Sequence, residues 1–402
     1  MSNKRGRSFL KFSEAITTLV GTIIGAGVLA IPYAMMKAGF LTGLLNITIL
    51  SISVIFLYLY IGEIVLRTKG NYQLTGYAQR YLGNKGKKIM TLSMILGIYG
   101  ALTAYLLGIG QSIATIFGLE NHIIKFFGIS LPLNIGFSLL FFIFGTFVIY
   151  LGVKSVGKSE LVLSSTVILI VLCISLLLLP TIKIRNIINF NIYKIFLPYG
   201  VILFALAGAV AIPEMKEELE NKKRLLKKAI VIGTLIPIIL YIIFSLAVVG
   251  NCGDSTSEIA TICIGDKFGF LMLLFGNIFA IFAMSTSFLT LGLALKEMYN
   301  YDYCINKKLS LILACFIPLI LFFLLLFFIK QERFFNTIGL TGGIAMTLEG
   351  IMIVLMFKKA KKRGNRKPEY EIKRTALISV FLIIIFLLGM LYTILNALGI
   401  IF

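Results

Sequence analysis

The 402-residue chain is 59% hydrophobic, has a mean hydropathy of +0.99 and carries a formal net charge of +21. That apolar content excludes a soluble domain, because so many continuous apolar runs cannot all bury one another in water. The charge needs no nucleic-acid partner. With the N-terminus placed inside, thirty of the 38 Lys and Arg fall in alternate loops and eight in the others, which is the positive-inside asymmetry of a polytopic membrane protein.

At roughly 20 residues per crossing, eleven transmembrane helices are predicted, at 11–38, 41–67, 86–118, 132–152, 156–180, 195–220, 225–250, 268–298, 308–329, 334–357 and 374–398. With the N-terminus in the cytoplasm, an odd number puts the C-terminus on the extracytoplasmic side of a multi-pass cell-membrane protein in the lipid bilayer. The first run is too long for a cleavable signal and no small-residue cleavage site follows it. No Pro-, Ser- or Gly-rich run sets off a soluble unit, so residues 1–402 form one membrane domain.

The first span, KFSEAITTLVGTIIGAGVLAIPYAMMKAGF, is interrupted at its centre by Gly21, Thr22, Gly25 and Gly27, with Pro32 following. Each glycine weakens a helix by about 1 kcal/mol relative to Ala, and proline removes an amide donor. Lys11 and Lys37 mark the two interfaces, which places Gly25 near the midplane. Backbone freed there must be satisfied by protein, water, ion or substrate, so the stretch reads either as the floor of a transport site or as close helix packing.

Near the end of span two, Glu63 is matched by Arg67 at i+4, a structural pair. YQLTGYAQRYLG then reads as a short amphipathic surface helix ended by Gly83. Tyr99 and Thr103 fall near the middle of span three and are candidate substrate contacts. His122 lies in an outer loop without companions, so no metal site is expected. Gly152 to Ser159, GVKSVGKS, matches the phosphate-loop pattern letter for letter, but a membrane span rather than a strand precedes it, so a nucleotide is not expected. Ser164, Ser165 and Thr166 lie mid-span in span five.

Span six, LPYGVILFALAGAVAIPEMKEELENKK, carries a second interruption at Gly208 and Ala209, with Phe204 one turn before it and Pro213 after it. Span one runs outward and span six inward. Two broken helices five spans apart and oppositely oriented point to inverted five-helix repeats, here 11–180 and 195–357, with 374–398 an extra helix. Glu217 and Glu218 fit a helix start electrostatically, whereas Glu214, nearer the break, is a candidate for ion or proton coupling. Cys252 and Cys263 share an outer loop, where an oxidising exterior would allow pairing. Ser285, Thr286 and Ser287 in span eight either bond the preceding turn or, with Ser165, supply hard oxygens to a sodium ion. Glu349 in span ten is an intramembrane carboxylate, suited to proton carriage or an inner gate, or else paired with a snorkelling lysine. The linker KKAKKRGNRKPEYEIKR reads as a solvated basic loop.

GTIIGAGVLAIPYAMMKAGF and AMSTSFLTLGLAL resemble spans one and eight of the hydroxy/aromatic amino acid permeases and the related amino acid/auxin permeases, within the amino acid–polyamine–organocation superfamily. The resemblance implies a leucine-transporter-type fold and secondary active import of an amino acid by alternating access, with no covalent chemistry. It places the substrate carboxylate on amides of Thr22, Gly25, Ala26 and Gly27, and the ammonium near carbonyls between Phe204 and Ala209. The lysine that some proton-coupled relatives carry midway along span five is absent here, so sodium and proton both stay open as coupling ion. The rival readings are a transporter-fold sensor, a permease for another small amine, or a channel. No cofactor is implied, and no converging acid, base or metal residues suggest an enzyme.

Overall fold

The computed structural model describes residues 2–119, 122–126, 129–328 and 334–400. Helices α1 (Ser2–Ile23) and α2 (Gly27–Ala38) share the first predicted span, and α3 (Phe40–Leu66) forms the second. α4 (Leu74–Ile116) merges the surface helix with span three. The chain turns between the two at Gly83, whose φ of 76° is one that a residue with a Cβ avoids. α5 (Leu133–Leu151) and α6 (Val153–Leu178) follow, meeting at Gly152, so a helix and not a strand precedes the phosphate-loop match. Side chains from 153 to 160 lie outside the described residues.

The segment predicted at 195–220 forms two short helices, α7 (Tyr199–Ala205) and α8 (Ala211–Glu218). α9 (Leu226–Cys252) leads to α10 (Ala260–Phe268), and a disulfide joins Cys252 to Cys263 across the turn between them. α11 (Phe270–Glu297) and α12 (Lys307–Phe328) are spans eight and nine. The tenth is α13 (Phe334–Thr341) and α14 (Thr347–Arg363), joined by a π-helical stretch, Gly342–Met346. α15 (Thr375–Ala397) is last. Among the described residues nine helices are long and apolar enough to cross a membrane, and the bent pair α1–α2 makes ten. α7 and α8, of seven and eight residues, are each too short to span alone.

Burial separates the inside of the bundle from its lipid-facing rim. The apolar window of α11 is 83% buried and that of α3 78%, against 28% for α12 and α15. The rim shows Leu140, Phe144, Leu169 and Leu377 outward, as a surface facing hydrocarbon requires.

The chain is helical throughout its spans, as expected, and the loop between α4 and α5 adds a small antiparallel hairpin, β1 (Ile123–Phe126) and β2 (Ile129–Pro132). Two expectations need correction. The linker after α14 is not simply solvated, because it is strapped to the end of α3. Buried Glu63 accepts from Arg67 Nε at 2.8 Å and from the Ile372 amide at 2.7 Å, while Tyr370 donates to the Leu59 carbonyl at 2.8 Å. Arg366 donates to the Leu66 carbonyl at 2.9 Å. Finally, Glu217 and Glu218 lie at the C-terminal end of α8, not at its start. There Glu218 accepts from Thr18 Oγ1 at 2.7 Å, tying α8 to α1.

Candidate functional site

Two interrupted helices meet inside the bundle. α1 and α2 are bent by 53° across Ile24, Gly25 and Ala26, which belong to neither helix. Pro32 lies inside α2, so the glycines upstream of it, not the proline, locate the break. The second break covers Leu206 to Val210. Glycines let the breaks touch. A Cβ on Gly27 would stand 2.5 Å from Ala205 Cα, and one on Gly208 would stand 2.6 Å from Ile23 Cγ1. A Cβ on Gly25 would meet the hydroxyl oxygens of Ser287 and Tyr105, each at 2.7 Å.

Unwinding frees peptide groups, and hydroxyl side chains cover some of them. Ser287 Oγ lies 2.9 Å from the Gly21 carbonyl and 3.2 Å from that of Thr22. Thr286 Oγ1 lies 2.8 Å from the Ala283 carbonyl and 3.4 Å from that of Ile24. Carbonyl and hydroxyl oxygens of α11 and of the first break are thereby gathered at one point. Tyr241 Oη bridges the breaks, 2.8 Å from the Ile23 carbonyl and 3.0 Å from that of Ala205. Tyr58 donates to the Leu206 carbonyl in a short hydrogen bond. Among the described residues no backbone carbonyl accepts from the amides of Ala26 and Gly27. These open α2, where the helix dipole favours an anion.

The breaks wall a cavity of about 30 Å³ that Met94, Gly97, Tyr105, Leu291 and Glu349 also line. Glu349 is 6% exposed, and among the described residues no hydrogen bond or ion pair reaches its carboxylate. It stands close enough to Tyr58, at the second break, for the two to interact electrostatically.

Of the residues singled out from the sequence, Thr22, Gly25, Gly27, Phe204, Gly208, Ala209 and Glu349 line this cavity. Ala26 lies in the first break beside it, and Thr286 and Ser287 adjoin that break. Tyr99 and Thr103 do not reach the cavity. Tyr99 bonds Tyr299 at 2.7 Å and the Leu313 carbonyl at 2.9 Å, and Thr103 reaches the Pro318 carbonyl at 3.2 Å, so both face α12. Ser165 is exposed on α6, whereas its buried neighbour Ser164 points at the Thr17 carbonyl, 3.5 Å away. Glu214 is buried toward the Lys- and Arg-rich face, where Gln73 Nε2 lies 3.4 Å from it and 3.4 Å from Glu297. Tyr58, Tyr105 and Tyr241 were not singled out. A tyrosine in an apolar span carries a hydroxyl that needs a partner once buried, and that was the available signal.

Residues 10–395 match the tryptophan/tyrosine permease family. Tyrosine-specific transport system 1 of Haemophilus influenzae is 27% identical over 399 residues, covering 93% of this chain and 94% of that protein. Glutamine transporter 2 of Aliivibrio fischeri is 23% identical, with 90% and 92% covered. The tryptophan-specific transport protein of Shigella flexneri is 24% identical, with 91% of each covered. The structure superposes on the crystal structure of MhsT in complex with L-phenylalanine with a TM-score of 0.70, covering 96% of this chain and 98% of that one at 16% identity. The fold is of the leucine-transporter type.

Proposed function

The chain belongs to the tryptophan/tyrosine permease family, and on that premise we propose that it imports an amino acid by secondary active transport, alternating access between the two sides of the membrane. The observation that carries this reading is the contact between the two breaks around one cavity, with the Ala26 and Gly27 amides, among the described residues, free of backbone partners at the start of α2. Those amides suit the substrate carboxylate. The cavity has room for a water molecule or two, so an amino acid enters only when the walls part. The moving body would be α1–α2, α3, α7–α8 and α9, and the scaffold the remaining spans. Eleven spans, two inverted repeats at 11–180 and 195–357, and a cytoplasmic N-terminus complete the reading.

Sodium is the coupling ion that the oxygen cluster suits best. Ligands at right angles around a hard cation at about 2.4 Å stand about 3.4 Å apart. The spacing from Thr286 Oγ1 to the Ile24 carbonyl, 3.4 Å, matches that value, while the 2.8 Å to the Ala283 carbonyl is a hydrogen-bond distance. The Gly21 carbonyl and Ser287 Oγ, 2.9 Å apart, would complete the set once the hydroxyl protons turn outward. A second reading, a proton carried by Glu349, draws on that carboxylate having no partner among the described residues. The relatives' names span tyrosine, tryptophan and glutamine, so what is common to them is the amino acid backbone.

Counterflow of radiolabelled amino acids in proteoliposomes tests the function. Saturable exchange is expected, with accumulation driven by an imposed sodium gradient. Accumulation driven by a proton gradient alone favours the second reading. Uncoupled current without exchange indicates a channel, and binding without exchange a sensor.

A further inference from the structure

We propose that Glu349 receives the ammonium group of the substrate and that its negative charge is balanced by the co-transported cation; this rests on the importer reading above. The resemblance puts the ammonium on carbonyls between Phe204 and Ala209, but the structure leaves little acceptor capacity there. The Ala205 carbonyl faces Tyr241 Oη and the Leu206 carbonyl takes the Tyr58 hydroxyl. The carbonyls of Phe204, Gly208 and Ala209 accept from the amides of Ala207, Ala211 and Ile212. Only the Ala207 carbonyl lacks a donor among the described residues, and one carbonyl cannot satisfy the three N–H bonds of an ammonium. Glu349 lines the same cavity as Ala207, and its two carboxylate oxygens have no donor there. It supplies the missing acceptors with a full opposite charge, which makes the strongest hydrogen bonds to an ammonium.

The same placement explains why substrate and cation would travel together. Among the described residues no Lys or Arg lines the cavity, so an ionised Glu349 leaves the closed site with one uncompensated negative charge. A zwitterionic amino acid adds none. One monovalent cation at the oxygens of Gly21, Ile24, Ala283, Thr286 and Ser287 brings the occupied site to neutrality. A buried charge without a counter-charge is costly, so closure around substrate favours the cation-loaded state, with one cation per amino acid.

The test uses the full-length protein in detergent. Each of the twenty amino acids is titrated with and without sodium, and the tightest is then compared with the α-hydroxy acid of the same side chain, which lacks the ammonium. Wild type is expected to prefer the amino acid by at least about 100-fold. Glu349→Gln is expected to narrow that preference to below about tenfold and to flatten the sodium dependence of binding. Glu349→Asp keeps the charge on a shorter arm and is expected to retain the preference with weaker affinity; loss of the preference in this folded variant counts against the proposal even if Glu349→Gln does not fold. The proposal is overturned if Glu349→Gln keeps both the preference and the sodium dependence. It is also overturned if that variant keeps both and loses only proton-driven accumulation, the signature of a proton carrier. A wild-type protein that binds and exchanges none of the twenty sinks the importer reading itself.

Discussion

The two breaks look alike in sequence, small residues followed by a proline, yet different neighbours hold them. The carbonyls of the first are reached from α11 by Ser287 and Thr286. Those of the second are reached from α3 and α9 by Tyr58 and Tyr241. In the proposed division of the molecule, α11 is scaffold while α3 and α9 move with the broken helices. The first break is therefore tied across the boundary that must open as well as to its own body, through Tyr241 on the Ile23 carbonyl, whereas the second is braced from within its own body. On that proposal an ion held at the first break would report on closure, whereas the second would keep its shape through the cycle.

Substitutions can break or sharpen that contrast. The largest effect is expected from Gly27→Val, because the added Cβ meets the Ala205 backbone, which cannot swing aside. Overpacking of this kind costs about 1–3 kcal/mol or more, and counterflow should fall at least about 100-fold in protein that still inserts. If Gly27→Val exchanges normally, the breaks do not touch as described. Ser287→Ala removes a scaffold hydroxyl from the first break, and the sodium concentration for half-maximal binding should rise about tenfold. An unchanged sodium response would place the ion elsewhere. Tyr241→Phe strips the brace from the carbonyls of Ile23 and Ala205. A stability loss of about 1–3 kcal/mol, seen as a lower melting temperature, should accompany an unaltered sodium requirement. Least affected should be Tyr99→Phe and Thr103→Val, since both side chains face α12. Their substrate affinities should stay within about twofold of wild type, and a larger change would show that span three turns during transport.

How much was legible beforehand follows the same physics. The breaks could be placed to within a residue or two because Gly25, Gly27 and Gly208 stand out in apolar helices. Glu349 stood out because lone carboxylates are rare there. Helical phase was not legible: Tyr99 and Tyr105 are six residues apart, about 600° around the helix, and the second of them faces the cavity. The same holds on α6, where Ser165 is exposed and Ser164, one residue and about 100° away, faces the Thr17 carbonyl. The strap over α3 was hidden because its charges resemble any solvated basic loop. Only the partners Glu63, Leu59 and Leu66, some three hundred residues earlier, reveal that it docks.

The widened turn at Gly342–Met346 has a consequence for Glu349, three residues downstream. A π-helical turn holds one residue more than an α-helical one and leaves a carbonyl over; here Ser93 donates to the Ala345 carbonyl at 2.6 Å. Gly342 and Gly343 press so closely on Phe204 and Thr393 that neither has room for a Cβ. Winding the same residues at regular α-helical pitch would swing everything after them by about 100°. The acidic group would then point away from the passenger without a single contact in the pocket having been mutated. The bulge acts as a registration key that aims span ten.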